Sequence, residues 1–208
     1  MVKLKGPSLS TESSGSLADI LTFSNSHGKA YAKKHAKPKQ PRTPPQLSIR
    51  AMMLFLSTEW KILTTAERRT WETLVPRSAP TPYHAYISVN MSRWRTWRPP
   101  TKQHPASETG AIPASIAATV TGGIGMVDIR LHQAIPLFAW GFLAFRRTTS
   151  MPAPTWDLLV HAFAANVPSP TDYRDTPLDP GTYYYRFSGF SETGLWRHAA
   201  TERVAVVT

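Results

Sequence analysis

Seven histidines, thirteen carboxylates and no cysteine are the groups from which this chain could assemble chemistry. The histidines are His27, His35, His84, His104, His132, His161 and His198. None falls in HxxxH or HExxH spacing or has an acidic neighbour at ligand spacing, so no metal residues are expected. The lack of cysteine excludes disulfides, thiolate metal sites and cysteine nucleophiles, and leaves the redox compartment open. The sequence holds no P-loop, no GxGxxG and no GxSxG. Thr121-Gly-Gly-Ile-Gly125 is glycine-rich, but it precedes a strand-like run and opens no helix, so it reads as a hairpin turn. Asp172 and Asp175 lie near each other in a loop-like stretch and do not support a paired-carboxylate site. The expectation is a non-enzymatic protein with no catalytic residues and no cofactor.

Charge says more than chemistry does. Lys and Arg number 24 against 13 Asp and Glu, a formal net charge of +11. Up to His104 there are 17 cations against 5 anions, and beyond it 7 against 8. The positive excess therefore sits in front. Lys29, Lys33, Lys34, Lys37, Lys39 and Arg42 form the candidate interaction face. They read either as a solvated or protein-binding surface, or as cations that neutralise phosphates with strong salt dependence. Hydrophobic residues make up 41%, enough for a packed core. No run of about 18 apolar residues exists, so no membrane helix is expected. Met1–Ser10 carries lysines but no apolar stretch, so no secretory signal is expected either. A protein at work inside a cell, or in a particle assembled there, fits these features.

The elements that would place these residues fall into two styles. Met1–Ser16 is polar and reads as an extended arm. Leu17–Asn25 and Lys29–Lys37 read as a hairpin turning at Ser26-His27-Gly28, with Lys29, Lys33 and Lys37 on one face and alanines on the other. Helical spacing follows. Ile49, Met53, Leu56, Trp60 and Leu63 form one apolar stripe, which Met52 and Phe55 widen. Thr64-Thr-Ala-Glu67 is a capping box opening a second helix to about Val75, with Trp71 and Leu74. A third runs from about Tyr83 to Trp97, with Tyr86, Ile87, Asn90 and Trp94 inward. Trp60, Trp71, Trp94 and Trp97 are expected as core or interface anchors. Arg98–Pro113 holds four prolines in sixteen residues and reads as a linker.

After Ile112 the period becomes two. Val127, Ile129 and Leu131 alternate with polar residues, and Phe138, Trp140 and Phe142 suggest the next strand, in this or the opposite register. Gly141 marks a bend or a close approach. Trp156–Ala164 reads as a strand or a short helix. A strand begins at Tyr173, Tyr183, Tyr185 and Phe187 point inward from another, and Trp196–Val207 is the last. Short strands punctuated by turns suggest a β-sandwich.

Three resemblances rest on these residues. Trp60-Lys-Ile-Leu-Thr-Thr-Ala-Glu-Arg-Arg-Thr-Trp71 looks like the helix-2/helix-3 junction of high-mobility-group boxes, which implies DNA bending through the minor groove. A longer series covers roughly Ser16–Arg98: Leu21-Thr-Phe-Ser-Asn25, the basic strand, Pro41-Arg-Thr-Pro-Pro-Gln46, Trp60 with Leu63–Glu67 and Trp71, and Tyr83–Asn90. It resembles small prophage and tailed-phage structural proteins, with Tyr83-His-Ala-Tyr86 where that family has Phe-Asn-Ala-Phe. This resemblance implies a virion component assembled in the host cytoplasm, without distinguishing capsid, tail tube or fibre. Its partners would be copies of itself and neighbouring virion proteins. Leu178-Asp-Pro-Gly-Thr-Tyr-Tyr-Tyr-Arg-Phe187 resembles the E–F corner of fibronectin type III domains, which implies a tyrosine hydroxyl bonded back to the loop, from Tyr183 or from Tyr184. Phe142–Arg147 resembles strand C of the same family.

The expected fold class is an α+β N-terminal module, a β-hairpin plus a helical bundle, followed by an all-β fibronectin-III/Ig-like sandwich. The expected divisions are an arm at 1–16, a basic hairpin and helical module at 17–98, a linker at 99–113 and the sandwich at 114–208. The expected function is a structural, homo-oligomeric particle protein, with nucleic-acid binding through the basic half as the alternative. Trp60, Trp71, Tyr183 and Tyr185 are the expected structural anchors.

Overall fold

The computed structural model describes residues 15–17, 21–26, 29–34, 42–75, 81–110, 118–132, 139–150, 152–164, 171–198 and 201–208. Packing divides the chain into two compact units, Met1–Pro41 and Arg42–Thr208.

In the first unit, β1 (Gly15–Leu17), β2 (Leu21–Ser26) and β3 (Lys29–Lys34) form an antiparallel sheet in that order. Ser26 pairs with Lys29 across 27–28, and Leu21 pairs with Lys34. The expected arm runs into this sheet, because Gly15 pairs with Phe23 and Ser16 with Thr22. The rest of that arm lies outside the described residues, as do Lys37 and Lys39.

Among the described residues, the second unit opens with three helices. α1 (Pro44–Ile62) begins with two prolines, where their missing N–H groups leave nothing unpaired. α2 (Thr65–Glu72) carries the capping box: the Thr64 hydroxyl accepts from the Glu67 amide at 3.3 Å, and the Glu67 carboxylate accepts from the Thr64 amide at 2.6 Å. α3 (Pro82–Arg95) is capped by Thr81, which accepts from the His84 amide. It ends with the Arg98 amide donating to the Arg93 carbonyl, closing around Trp97 at φ 60°. Glycine is the usual residue at that left-handed position.

The strands follow: β4 (Ala118–Gly123), β5 (Met126–Leu131), β6 (Ala139–Arg147), β7 (Leu159–Ala164), β8 (Thr171–Asp175), β9 (Gly181–Ser191), β10 (Trp196–His198) and β11 (Arg203–Val207). A 3₁₀ turn at Trp156–Leu158 precedes β7. One antiparallel sheet runs β4-β5-β8 and the other β7-β6-β9, with β10 and β11 both on the far edge of β9. The glycine-rich segment is a tight β4–β5 turn at Ile124-Gly125, as its composition suggests. Asp172 and Asp175 sit in β8 rather than in a loop. The last expected strand is divided in two, β10 and β11.

Two cores result. Between the sheets lie Val127, Ile129, Leu131, Phe142, Ala144, Phe163, Tyr183, Tyr185 and Phe187. On the outer face of the larger sheet, Trp140, Leu143, Phe145, Leu159 and Phe190 meet Met52, Phe55, Leu56, Tyr86 and Trp94 from the helices. β6 is therefore buried on both faces, which explains its unbroken apolar run. Trp140 and Phe142 belong to opposite cores, contrary to both expected registers, because the pairing shifts between Ala139 and Gly141. Gly141 is required there: a Cβ would stand 2.4 Å from the Phe163 carbonyl oxygen.

Two expectations change. The buried face of α1 is Ser48, Met52, Phe55, Leu56 and Glu59, so the stripe is turned by one residue and Met53 is 41% exposed. The sheet beneath the helix sets this rotation: the Ser48 hydroxyl donates to the Trp156 carbonyl, and Phe55 meets Trp140 edge-on. The proline-rich stretch also does not separate helices from sandwich. Asn90 exchanges two hydrogen bonds with the Thr101 backbone, Trp71 Nε1 donates to the Lys102 carbonyl, and the amides of Lys102 and Glu108 donate to Glu192 and Thr193. These bonds strap residues 101–108 across α2, α3 and the β9–β10 turn.

Candidate functional site

A group of polar side chains lies where β8 ends and β9 begins. The Leu178 amide and the Thr176 hydroxyl both donate to the Gly125 carbonyl, pinning the connection to the β4–β5 turn. The chain then enters β9, where alternation turns Tyr183, Tyr185 and Phe187 inward. The Tyr183 hydroxyl donates to the Asp179 carbonyl at 2.9 Å. This is the corner geometry that ties a strand to the loop before it. Tyr184 stands on the opposite face.

Beside the corner is a cleft of about 400 Å³, whose walls include Arg42, Leu47, Arg146, Tyr173, Asp175 and Tyr183. Asp175 is 6% exposed. Arg146 Nη1 donates to both of its oxygens at 2.7 Å, and the Tyr185 hydroxyl donates to Oδ2 at 2.8 Å. Burial, reinforced by the Asp175 charge, pushes the Tyr185 phenol well above its usual value. Arg146 also lies over the Tyr183 ring, 5.7 Å from its centre. Arg42 Nη1 donates to the Thr176 carbonyl. His161 stacks on Tyr173 with ring centres 4.0 Å apart. Burial lowers its pKa to about 4, against the pull of Asp175, so the ring is neutral at physiological pH.

The other polar groups are engaged in similar ways. Ser188 Oγ and His198 Nδ1 are 2.5 Å apart, a nucleophile-and-base spacing. Ser188 is fully buried, however, and His198 is stacked on Trp97. Burial first, then Arg186, lowers the His198 pKa. On the outer face of the smaller sheet, Arg130 pairs with Asp172 and Arg174 with Asp128, each through two bonds of 2.7–3.0 Å. Those guanidinium hydrogen bonds hold both carboxyls below their ordinary range. Among the described residues, no group of three or more His, Asp or Glu could hold a metal ion, and no helix is long and apolar enough to cross a membrane.

Four of the six expected cations lie among the described residues. Lys29, Lys33 and Lys34 lie on β3, with Lys33 and Lys34 exposed, while Lys37 and Lys39 are outside the described residues. Arg42 belongs to the second unit and lines the corner cleft. Trp71 is wholly buried and Trp60 partly so, with Arg68 over its ring at 5.5 Å. The sequence reading missed Arg146 and Glu59, and treated Asp175 only as a loop residue. A usable signal lay in the strands: Asp128-Ile-Arg130 and Asp172-Tyr-Arg174 are charge-complementary when laid antiparallel, which places β8 beside β5 and turns Asp175 inward.

No protein-family model matches the sequence, and no curated protein matches it. Among solved structures, a Fn3-like protein from Clostridium thermocellum aligns at 18% identity and TM-score 0.37, covering 47% of this chain and 96% of that one. The FN1-FN3 domains of chicken CNTN1 align at 10% identity and TM-score 0.30, covering 45% of this chain and 33% of that one. The strand order and the bonded Tyr183 corner make the C-terminal half a fibronectin type III-like sandwich.

Proposed function

We propose that this chain is a non-enzymatic structural module that works through protein contacts, as a component of a phage-like particle. One observation carries the reading: the polar groups at the corner are engaged with each other. The carboxylate of Asp175 is held by Arg146 and Tyr185, and His161 is a stacked, neutral ring. Such groups lock a scaffold and leave its surfaces for recognition. The first unit supports the assembly role. Forty-one residues without cysteine are near the limit below which a fold needs added support. Its strand edges are suited to pairing with a neighbouring subunit. The ordered likeness of Ser16–Arg98 to phage structural proteins supplies the particle context, with assembly in the host cytoplasm.

Light scattering on the full chain and on the 42–208 fragment tests this. Assemblies above monomer mass are expected for the full chain and not for the fragment. Monomers from both at all concentrations would count against the proposal. The exposed Lys33 and Lys34 favour a second reading, nucleic-acid binding. It predicts an affinity that falls steeply with salt, and no binding at low salt removes it.

A further inference from the structure

The helical layer has an outer side as well as a buried one. Between α1 and α3 runs a shallow groove of about 420 Å³, lined by Ile49 and Met53 on one wall and by Ile87, Met91 and Arg95 on the other. Ile49 and Met53 are one helical turn apart, and Ile87, Met91 and Arg95 continue at the same interval. Ser88 and Ser92, short and exposed, let a backbone come close. These α1 positions are the ones whose spacing reads as core, yet the structure turns them away from the sheet. Two methionines give the walls side chains that can repack around an occupant.

Charge identifies the occupant. α3 contains no Asp or Glu, and the one acid in α1, Glu59, is buried. Arg50 and Arg95 are exposed. The groove thus has apolar walls with Arg95 among its lining residues, and Arg50 follows Ile49 on α1. Neither α1 nor α3 of a second copy could present an exposed carboxylate to it. We infer that this groove docks an amphipathic, acidic helix of a partner protein, with apolar anchors on the methionine and isoleucine rows and carboxylates against Arg50 and Arg95. The inference rests on the protein-contact reading above and names the partner class.

The test titrates the isotope-labelled full chain with an amphipathic peptide of about 18 residues, bearing leucines on one face and glutamates on the other. The same peptide with lysine for glutamate is the control. Expected shifts map to 49–53 and 87–95, with the lysine peptide about tenfold weaker and added salt narrowing the gap. Met53→Asp should abolish binding while leaving the rest of the spectrum in place, because Met53 is already 41% exposed. Arg95→Glu should reduce the preference for the acidic peptide. Equal affinity for both peptides, no binding of either, or undiminished binding by Met53→Asp overturns the inference. So does a self-association that Met53→Asp dissolves, which would give the groove to a second copy. Assembly through residues 1–41 is read separately, by comparing the full chain with the 42–208 fragment, so the two readings fail separately.

Discussion

At the scale of single residues, Glu59 is the group under most tension. It is 2% exposed, accepts from Trp140 Nε1 through Oε2, and leaves Oε1 without a hydrogen bond. The Tyr86 hydroxyl, also buried, is unpaired as well. Burial raises the Glu59 pKa above 4.5, opposed by the Trp140 hydrogen bond and the Lys102 charge, with Glu67 adding slightly to the rise. A raised value favours the protonated carboxyl in the folded state, so its contribution is complete at low pH and is lost as pH rises through the raised pKa. Glu59→Gln keeps an acceptor for Trp140 without the charge. Its melting temperature should therefore gain on the parent as pH goes from about 4 to about 7. A constant difference across that range would show that Glu59 is not the titrating group. Tyr183 makes a simpler case. Its hydroxyl bonds the exposed Asp179, whose carbonyl water can reach, so Tyr183→Phe should cost about 1 kcal/mol in denaturant unfolding. An unchanged midpoint would reject the bond.

At the scale of elements, the strap over 101–108 shows where sequence reading succeeds and where it does not. Capping boxes, proline starts and period-two strands act within a few residues, so α2, the β4–β5 hairpin and the inward Tyr183–Tyr185–Phe187 row are legible. Prolines in the stretch 98–113 forbid helix, and residues 98–110 form none. They say nothing about order, because the hold comes from a side chain eleven residues away. Asn90 Nδ2 donates to the Thr101 carbonyl at 3.0 Å, and its Oδ1 accepts from the Thr101 amide at 2.8 Å. Asn90 and Thr101 are buried at 0% and 1% exposure. Asn90→Ala leaves a buried donor and acceptor without partners, at a cost of about 2–4 kcal/mol. Hydrogen exchange should accelerate at the amides of Thr101, Lys102 and Glu108 before it does in β6. Uniform acceleration throughout would show that the strap has no stability of its own. The corner cleft was hidden for a similar reason, since Asp175 and Arg146 meet only after β6 and β8 have been assigned to facing sheets.

At the scale of the whole molecule, the position of the second core decides what can fold. A fibronectin type III-like sheet normally faces water on its outer side, whereas here Trp140, Leu143, Phe145 and Phe190 are each no more than 2% exposed there because the helices cover them. Removing residues 1–113 would bare these side chains, which contribute about 1.5–3 kcal/mol each when buried. That loss is comparable to the total stability of a small domain. The 114–208 fragment is therefore expected to aggregate or remain unfolded, even though it contains every strand of the sandwich. The 42–208 fragment keeps both cores and the strap, so calorimetry should give one transition with equal calorimetric and van't Hoff enthalpies. Two separated transitions, or a soluble and cooperatively folding 114–208 fragment, would mean that the helices are an attachment to the sandwich. A single transition would instead make helices and sandwich one cooperative unit. A load taken at the α1–α3 groove would then pass through Phe55 and Trp140 directly into the sheet.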